Sequence, residues 1–336
     1  MAKVGIDGFG RIGRQVLRII QQSSKNLEVV AITSRREPKL LAHLFKYDST
    51  YGRYQGTVEV DKDAIIVDGK SIKIMPASGP GQERWGEFGA EIIVEATGAF
   101  KDAKSVAGHL QQGAKKVIIT APGKGVDVTI CYGINQNKYD PAKHNIIAGA
   151  SCTTNCLAPV VKVLLENFGI RRGFLTTVHA YTNDQQILDK SHADFRRARA
   201  AAINIIPTTT GAARTIWEIF PELKGKTDGI ALRVPVPTVS ICDFVADVQR
   251  DKVTAEEVNQ ALKTAAQGPL KGIMDYCDEE LVSSDFVGTK ASAIVDAPST
   301  AVLDNNMVKV LAWYDNEWGY SCRIVDLANY IASKGL

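Results

Sequence analysis

The chain has 336 residues, 45% hydrophobic and 23% charged, ordinary globular proportions that exclude wholesale disorder and suffice for two average domains. Forty basic against 37 acidic residues leave a net charge of +3, and without a clustered basic stripe that excess points to neither nucleic acid nor a membrane. The six cysteines (Cys131, Cys152, Cys156, Cys242, Cys277 and Cys322) show no C-x-x-C spacing, so no metal site is expected and free thiols in a reducing cytoplasm are.

No leader-like basic and apolar start precedes Lys3, and the longest apolar runs fall well short of the ~18 residues of a membrane span. Val4 to Asp7 reads as a strand, Arg11 to Gln22 as a helix with Ile12, Val16, Leu17 and Ile20 on one face, and Val29 to Ile32 as a second strand. Short apolar runs follow at Ile92–Val94, Val117–Ile119 and Ile146–Ile147. Such runs between helical segments predict an α/β fold, a doubly wound parallel sheet covered on both faces. After residue 150 the character changes. A helix runs from Cys152 to about Asn167, then longer alternating strands at Gly173–Ala180, Ile230–Pro235, Thr238–Gln249 and Met307–Tyr314. These predict an α+β domain with a mostly antiparallel sheet. The expected division is a dinucleotide-binding domain over 1–150, completed by a C-terminal helix over 318–336, and a catalytic domain over 151–317.

Gly8-Phe9-Gly10-Arg11-Ile12-Gly13 lies between the first strand and the first helix. In the G-x-G-x-x-G pattern the first glycine permits a tight turn, the second lets a pyrophosphate approach the backbone, and the third lets helix and strand pack closely. The helix end then offers N–H groups to the phosphates. An acidic residue about 20 positions on would hold the ribose of NAD. Here the second strand runs instead into Thr33-Ser34-Arg35-Arg36. A hydroxyl followed by two forked guanidinium groups suits a 2′-phosphate, which favours NADP over NAD. The alternative is that Arg35 and Arg36 are a solvated pair bridged to Glu37.

Ser151-Cys152-Thr153-Thr154-Asn155-Cys156 opens a helix. A thiol at a helix N-terminus has its pKa lowered by the dipole, so Cys152 is the candidate nucleophile. Cys156, one turn on, reads as a small buried hydrophobe. Of five histidines, His179 at a strand end is the candidate base, and a satisfied structural histidine is the equal alternative. Thr208-Thr209-Thr210-Gly211 reads as a hydroxyl-rich turn suited to an anion. Arg233, inside an apolar strand, calls for a carboxylate or a bound phosphate. Arg196, Arg197 and Arg199 form a basic cluster that binds an anion or decorates a surface.

Three stretches, Ala150 to Cys156, Thr177-Val178-His179-Ala180-Tyr181-Thr182-Asn183-Asp184, and Trp313-Tyr314-Asp315-Asn316-Glu317-Trp318-Gly319-Tyr320, resemble phosphorylating glyceraldehyde-3-phosphate dehydrogenase. The resemblance extends from Lys3 to the C-terminus. It implies Cys152 as nucleophile and His179 as its base. An inorganic-phosphate site would be formed by Ser151, Thr153, Thr210 and Gly211, and a substrate-phosphate site by Thr182 and Arg233 with Arg197. Asn316 would hold the nicotinamide carboxamide, Thr120 would lie along the cofactor, and Arg11 and Ile12 would bond pyrophosphate through their backbones. The substrates implied are glyceraldehyde 3-phosphate and inorganic phosphate, and the assembly a homotetramer.

The chain departs from that pattern in four places. Asp7 stands where the family usually has Asn, Ser34 where it usually has a ribose-binding Asp, and Ser78 where an Arg is common beside the adenine. Ser191 replaces a Pro common in NAD-using members, as in photosynthetic NADP-using ones. Erythrose-4-phosphate dehydrogenase is the enzymatic alternative. A non-enzymatic dinucleotide-binding protein of the same fold is the other, and it predicts loss of the nucleophile or base, both of which are present.

Overall fold

The computed structural model describes all residues 1–336, which divide into two compact units, residues 1–150 with 321–336 and residues 151–320. In the first unit, β1 (Ala2–Asp7), α1 (Arg11–Ser23), β2 (Leu27–Ser34) and α2 (Pro38–Lys46) follow one another. A two-strand ribbon comes next, β3 (Tyr47–Asp48) with β4 (Gly52–Arg53), then a meander of β5 (Val58–Asp61), β6 (Ala64–Val67) and β7 (Lys70–Pro76). β8 (Ile92–Glu95), the short helices α3 (Ala103–Val106) and α4 (Gly108–Gln111), β9 (Lys116–Ile119), β10 (Val128–Thr129) and β11 (Ile146–Ala148) complete it.

Nine strands form one sheet in the order β10-β11-β9-β8-β1-β2-β7-β6-β5. From β10 to β7 every pairing is parallel, and only β6 and β5 turn back antiparallel. Sheet order reverses outward from β1, so the end of β1 faces a topological switch point, where open α/β sheets bind ligands. The strand cores are apolar on both faces. Val4, Ile6, Ile92, Ile93, Val117 and Ile118 are all fully buried, as a doubly covered sheet requires. The sequence reading missed β5 to β7, because a hairpin of short strands with exposed Lys and Asp lacks the apolar runs that mark the buried strands.

The second unit contains α5 (Cys152–Phe168), β12 (Ile170–Ala180), β13 (Ile206–Thr209), α6 (Ala212–Ile219), β14 (Thr227–Val234), β15 (Ser240–Val248), α7 (Ala255–Gln267), β16 (Met274–Cys277), β17 (Ala293–Leu303) and β18 (Met307–Tyr314). Its seven-stranded sheet runs β13-β14-β12-β15-β18-β17-β16. Four of its pairings are antiparallel, while β12 with β14 and β16 with β17 are parallel. β15 alternates buried and half-buried residues along its length, the pattern of a sheet with one covered face. α8 (Trp318–Lys334) leaves this unit at Tyr320. From Ser321 on it belongs to the first, where Tyr330 meets Tyr132 and Tyr139 edge-on and Asn329 accepts a hydrogen bond from Ser24.

Candidate functional site

In the first unit the glycine loop has the geometry its pattern implies. Gly8 adopts φ +91°, and a Cβ there would stand 2.7 Å from the backbone N of Thr97, so only glycine fits. A Cβ on Gly13 would collide with the Gly8 carbonyl oxygen, the mark of close helix–strand packing, whereas one on Gly10 would meet nothing within 4 Å. That open side above a helix end with no side-chain cap is space and polarity suited to a dinucleotide's phosphates. The Arg11 guanidinium is held elsewhere, on Asp48 at 2.5 Å and near the Tyr51 ring. Its side chain is therefore committed to the fold, while Ile12 lies within the first turn of α1.

At the end of β2, Ser34 accepts a hydrogen bond from the Arg36 N–H at 3.0 Å. Arg35 and Arg36 are exposed, and no ion pair joins either to Glu37. Ser34, Arg35, Arg36 and Lys62 line a cavity of about 380 Å³ whose one carboxylate, Asp63, is paired with Lys73. Lys62 was not legible from the sequence. Only the β5–β6 turn, with Lys62 at φ +35°, brings it beside Ser34. Ser78 is exposed beyond β7. Thr120 donates its hydroxyl to the Glu95 carbonyl at 2.9 Å, and Ser191 lies exposed in the loop after β12.

In the second unit α5 begins at Cys152. Ser151 caps it, its hydroxyl oxygen accepting the Thr154 N–H at 3.0 Å. Ala150 precedes the cap at φ +55°, a left-handed conformation that costs a non-glycine residue about 1 kcal/mol or more. His179 sits at the end of β12 with its Nε2 3.5 Å from the Cys152 sulfur. Parallel register sets Arg233 of β14 directly beside His179. Arg233 Nη1 lies 2.8 Å from Nδ1 of the imidazole and donates to the Ala180 carbonyl at 3.0 Å.

Two protonation patterns fit these distances. With its proton on Nδ1, His179 donates to the Ala180 carbonyl at 2.7 Å, and Nε2 is a lone pair facing the thiol. With Nδ1 accepting from Arg233, Nε2 carries the proton and faces a thiolate. In the first pattern Nε2 can take the thiol proton directly, giving a thiolate beside an imidazolium that keeps its Nδ1–H on the Ala180 carbonyl. Burial pushes the Cys152 thiol up, against the pull of Arg233 and of its bonds to Thr153. The helix end alone had suggested a lowered thiol, and burial, which a local pattern does not show, acts in the opposite direction. Burial and the Arg233 charge hold His179 down to about 3, so it rests as a neutral acceptor. At Arg233 the carboxylate of the two expected partners is not found. No carboxylate pairs with it, its Nε is buried without a partner, and its neighbours are the imidazole and a carbonyl. A half-buried guanidinium with no charge partner leaves the expected phosphate as the remaining candidate.

Several positioning groups were not anticipated. Tyr314 is buried, its hydroxyl joining Thr153 at 2.9 Å and Thr177 at 2.8 Å, and its ring stands edge-on to His179. Ser240 donates to Asn316 Oδ1 at 2.9 Å, and Thr238 to Asp315 at 3.0 Å. Between these two hydroxyls Val239 is forced to φ +66°, so the backbone is strained where it orients the Asn316 amide. A β-branched residue in that conformation leaves no trace in a sequence pattern.

The remaining anion-site residues form a second group. Arg197 donates to Thr208 at 2.9 Å and pairs with Asp184 and Asp194. Thr182 and Gln185 bond each other reciprocally. The expected turn at 208–211 is instead the end of β13 and the start of α6: Gly211 is the N-cap, and Thr210 accepts the Ala212 N–H at 3.2 Å. Antiparallel register puts Ile206 beside Arg233 and Thr209 beside Ile230. Thr210 and Gly211 thus lie past the far end of that pairing, and no hydrogen bond ties them to Cys152. Cys156, by contrast, is fully buried and its thiol faces the Ala312 carbonyl.

Comparison with known proteins adds to this geometry. Residues 2–103 match the family model for the glyceraldehyde 3-phosphate dehydrogenase NAD binding domain, and residues 151–316 that for the C-terminal domain of the same family. Over 334 residues the chain is 57% identical to the glyceraldehyde-3-phosphate dehydrogenase of Geobacillus stearothermophilus, covering 99% of both chains. It is 56% identical to that of Priestia megaterium at the same coverage. With glyceraldehyde-3-phosphate dehydrogenase 2 of a Nostoc species it shares 53% over 336 residues, 99% of each. No helix is long and apolar enough to cross a membrane.

Proposed function

This chain belongs to the glyceraldehyde-3-phosphate dehydrogenase family and is an NAD(P)-dependent enzyme of that kind, and on that premise we propose that it oxidises glyceraldehyde 3-phosphate to 1,3-bisphosphoglycerate through a thioester on Cys152. The observation that carries the mechanism is the Cys152 sulfur 3.5 Å from Nε2 of a neutral His179. His179 takes the thiol proton as the sulfur forms a bond to the aldehyde carbon and hands it to the aldehyde oxygen, giving a hemithioacetal and a neutral Nε2 again. A bound nicotinamide supplies the hydride acceptor. As hydride leaves the carbon, Nε2 takes the hydroxyl proton and the C–O bond becomes a carbonyl, leaving a thioester. Attack by inorganic phosphate then breaks the C–S bond, releasing the acyl phosphate and returning the thiol.

Arg233, unpaired and half-buried beside the imidazole, supports its assignment to the substrate phosphate, with Thr182 and Arg197 in the same role. Ser151, Thr153, Thr210 and Gly211 are assigned to inorganic phosphate. Ser240, whose hydroxyl accepts the Ala180 N–H and donates to Asn316 Oδ1, turns the amide N–H groups toward a ligand carbonyl, which supports Asn316 as the carboxamide holder. The Ser34–Arg36 cavity with Lys62 supports a 2′-phosphate and hence NADP over NAD, and Ser78, Ser191 and Thr120 are assigned along the same cofactor. Ile187, Leu188 and Phe195 are more than three-quarters exposed in the loop that carries Ser191. Apolar side chains this open favour a subunit contact and hence the homotetramer.

Alkylation of Cys152 tests the mechanism. It should abolish aldehyde-dependent nicotinamide reduction while leaving dinucleotide binding in place, and surviving reduction would refute it. Turnover of glyceraldehyde 3-phosphate against erythrose 4-phosphate separates the sister activity, with the first expected to dominate.

A further inference from the structure

The proposed catalysis leaves one buried group of titratable side chains unused. Asp7 at the end of β1, Glu95 at the end of β8, Glu83 ahead of Trp85 and His109 in α4 are each buried. His109 Nε2 lies 3.3 Å from Asp7 Oδ2 and 3.5 Å from Glu95 Oε2, and Glu83 Oε2 is 3.8 Å from Nδ1. Three carboxylates thus meet one imidazole, and no lysine or arginine reaches them.

Hydrogen-bond accounting fixes where the protons are. Trp85 Nε1 donates to His109 Nδ1 at 3.0 Å, so Nδ1 is a lone pair and Nε2 carries the hydrogen. The same tautomer leaves no lone pair on Nε2 for a metal ion. One N–H cannot serve two carboxylates. With all of them ionised, Asp7 Oδ2 is buried with no donor, as is Glu83 Oε2. A proton on Glu95 supplies the missing donor to Asp7. Burial, with Asp7 adding, pushes Glu95 up to about 7 against the bond from His109. Against its burial the carboxylates pull His109 up as well, but a second imidazole proton would displace the Trp85 N–H from Nδ1, so the proton the cluster gains near neutrality sits between Asp7 and Glu95.

The other oxygen of Asp7 leads out of the cluster. Asp7 Oδ1 accepts the Thr33 hydroxyl, and Thr33 Oγ1 accepts the Gly8 N–H at 3.0 Å. Gly8 opens the glycine loop, and Thr33 immediately precedes Ser34. One carboxylate therefore sets both the first amide of the phosphate loop and the strand end beside the 2′-phosphate cavity.

We propose that Asp7 is a positioning residue for dinucleotide binding: through Thr33 it fixes the Gly8 end of the loop, and the proton it shares with Glu95 ties the loop's grip on the dinucleotide to pH. With the proton in place the Asp7–Glu95 pair carries one negative charge. Without it the pair carries two, beneath a loop that must hold a pyrophosphate. Like charges on one loop oppose each other, so the dinucleotide binds with proton uptake and more weakly as pH rises. The proposal rests on the dinucleotide reading of the Gly8–Gly13 loop.

Calorimetric titration of NADP, and of NAD beside it, into the intact protein tests it, from about pH 6 to about pH 8.5 in buffers of different ionisation enthalpy. The parent should lose about threefold or more in affinity across that range and take up a fraction of a proton, the yield of a half-unit shift at the shared site. Asp7→Asn keeps the acceptor for Thr33 but leaves one negative charge at every pH, so its affinity should be flat and its proton uptake lost. Thr33→Val breaks the relay and should weaken binding by about fivefold or more at every pH while keeping the slope. Equal pH slopes in the parent and Asp7→Asn would overturn the proton linkage. Unchanged affinity in Thr33→Val would overturn the relay. A parent that binds no dinucleotide at any pH would instead overturn the reading of the loop.

Discussion

Replacing His179 by Asn asks how much of the Cys152 reactivity is borrowed from the imidazole. The thiol is pushed above its ordinary value of 9.0. Alone at pH 7 it would be at most about 1% thiolate. A neutral imidazole 3.5 Å away removes that limit by taking the proton as the sulfur attacks. Its loss should therefore cost at least about 100-fold in kcat/KM at pH 7, within the ~10²–10⁴ expected of a positioned general base. The variant should also recover about tenfold per pH unit until the thiol ionises, because hydroxide then does what the imidazole did. The parent should show no such slope. Iodoacetamide alkylation rates at several pH values, run beside steady-state kinetics, measure both. An alkylation rate at pH 7 within about threefold of the parent, or a flat pH dependence in the variant, would refute the reasoning.

The same burial has a stability consequence. His179 binds its proton near 6.5 unfolded and near 3 folded, so between those values the unfolded chain holds more protons and stability rises with pH. It is complete above about 6.5 and should fall by ~2 kcal/mol at pH 5, a loss that urea denaturation would detect and that His179→Asn should remove. Ser34→Asp introduces a carboxylate where the cavity is otherwise cationic. It should shift the kcat/KM ratio toward NAD by about tenfold or more, and an unchanged ratio would refute the 2′-phosphate assignment. Gly8→Ala must place a Cβ 2.7 Å from the Thr97 backbone at φ +91°. It should cost about 2–5 kcal/mol by chemical denaturation and abolish dinucleotide binding. A stable, binding variant would show that the loop is not held as described.

The Cys152–His179 pair shows what local pattern can and cannot reveal. Ser151 as cap and the apolar run behind it mark the start of α5, so the cysteine at a helix end was legible. Its direction of titration was not, because desolvation depends on what folds over the sulfur. His179 was the candidate base by its place at a strand end, with a structural histidine the equal alternative, and only the fold shows its Nε2 3.5 Å from the Cys152 sulfur and Arg233 beside it. The anion-site residues divide the same way. Thr208 to Gly211 looked like one turn, yet it is a strand end and a helix start with no bond to the thiol.

By itself the sequence determined the two-part α/β and α+β plan, the glycine loop between β1 and α1, and the place of Cys152 at the start of a helix. Each rests on interactions within a few residues, namely side-chain periodicity, capping and the demands of a tight turn. Only the tertiary structure decided the partners of His179, the tautomer of His109, the unpaired state of Arg233, the Lys62 flank of the Ser34 cavity and the strained Val239 behind Asn316. These depend on groups far apart in the chain meeting in a medium that excludes water. There the energy of a charge or an unshared hydrogen is set by its neighbours rather than by its residue type. Asp7 crosses that divide. Its identity is written in the sequence, and its proton is assigned only by Glu95, His109 and Trp85.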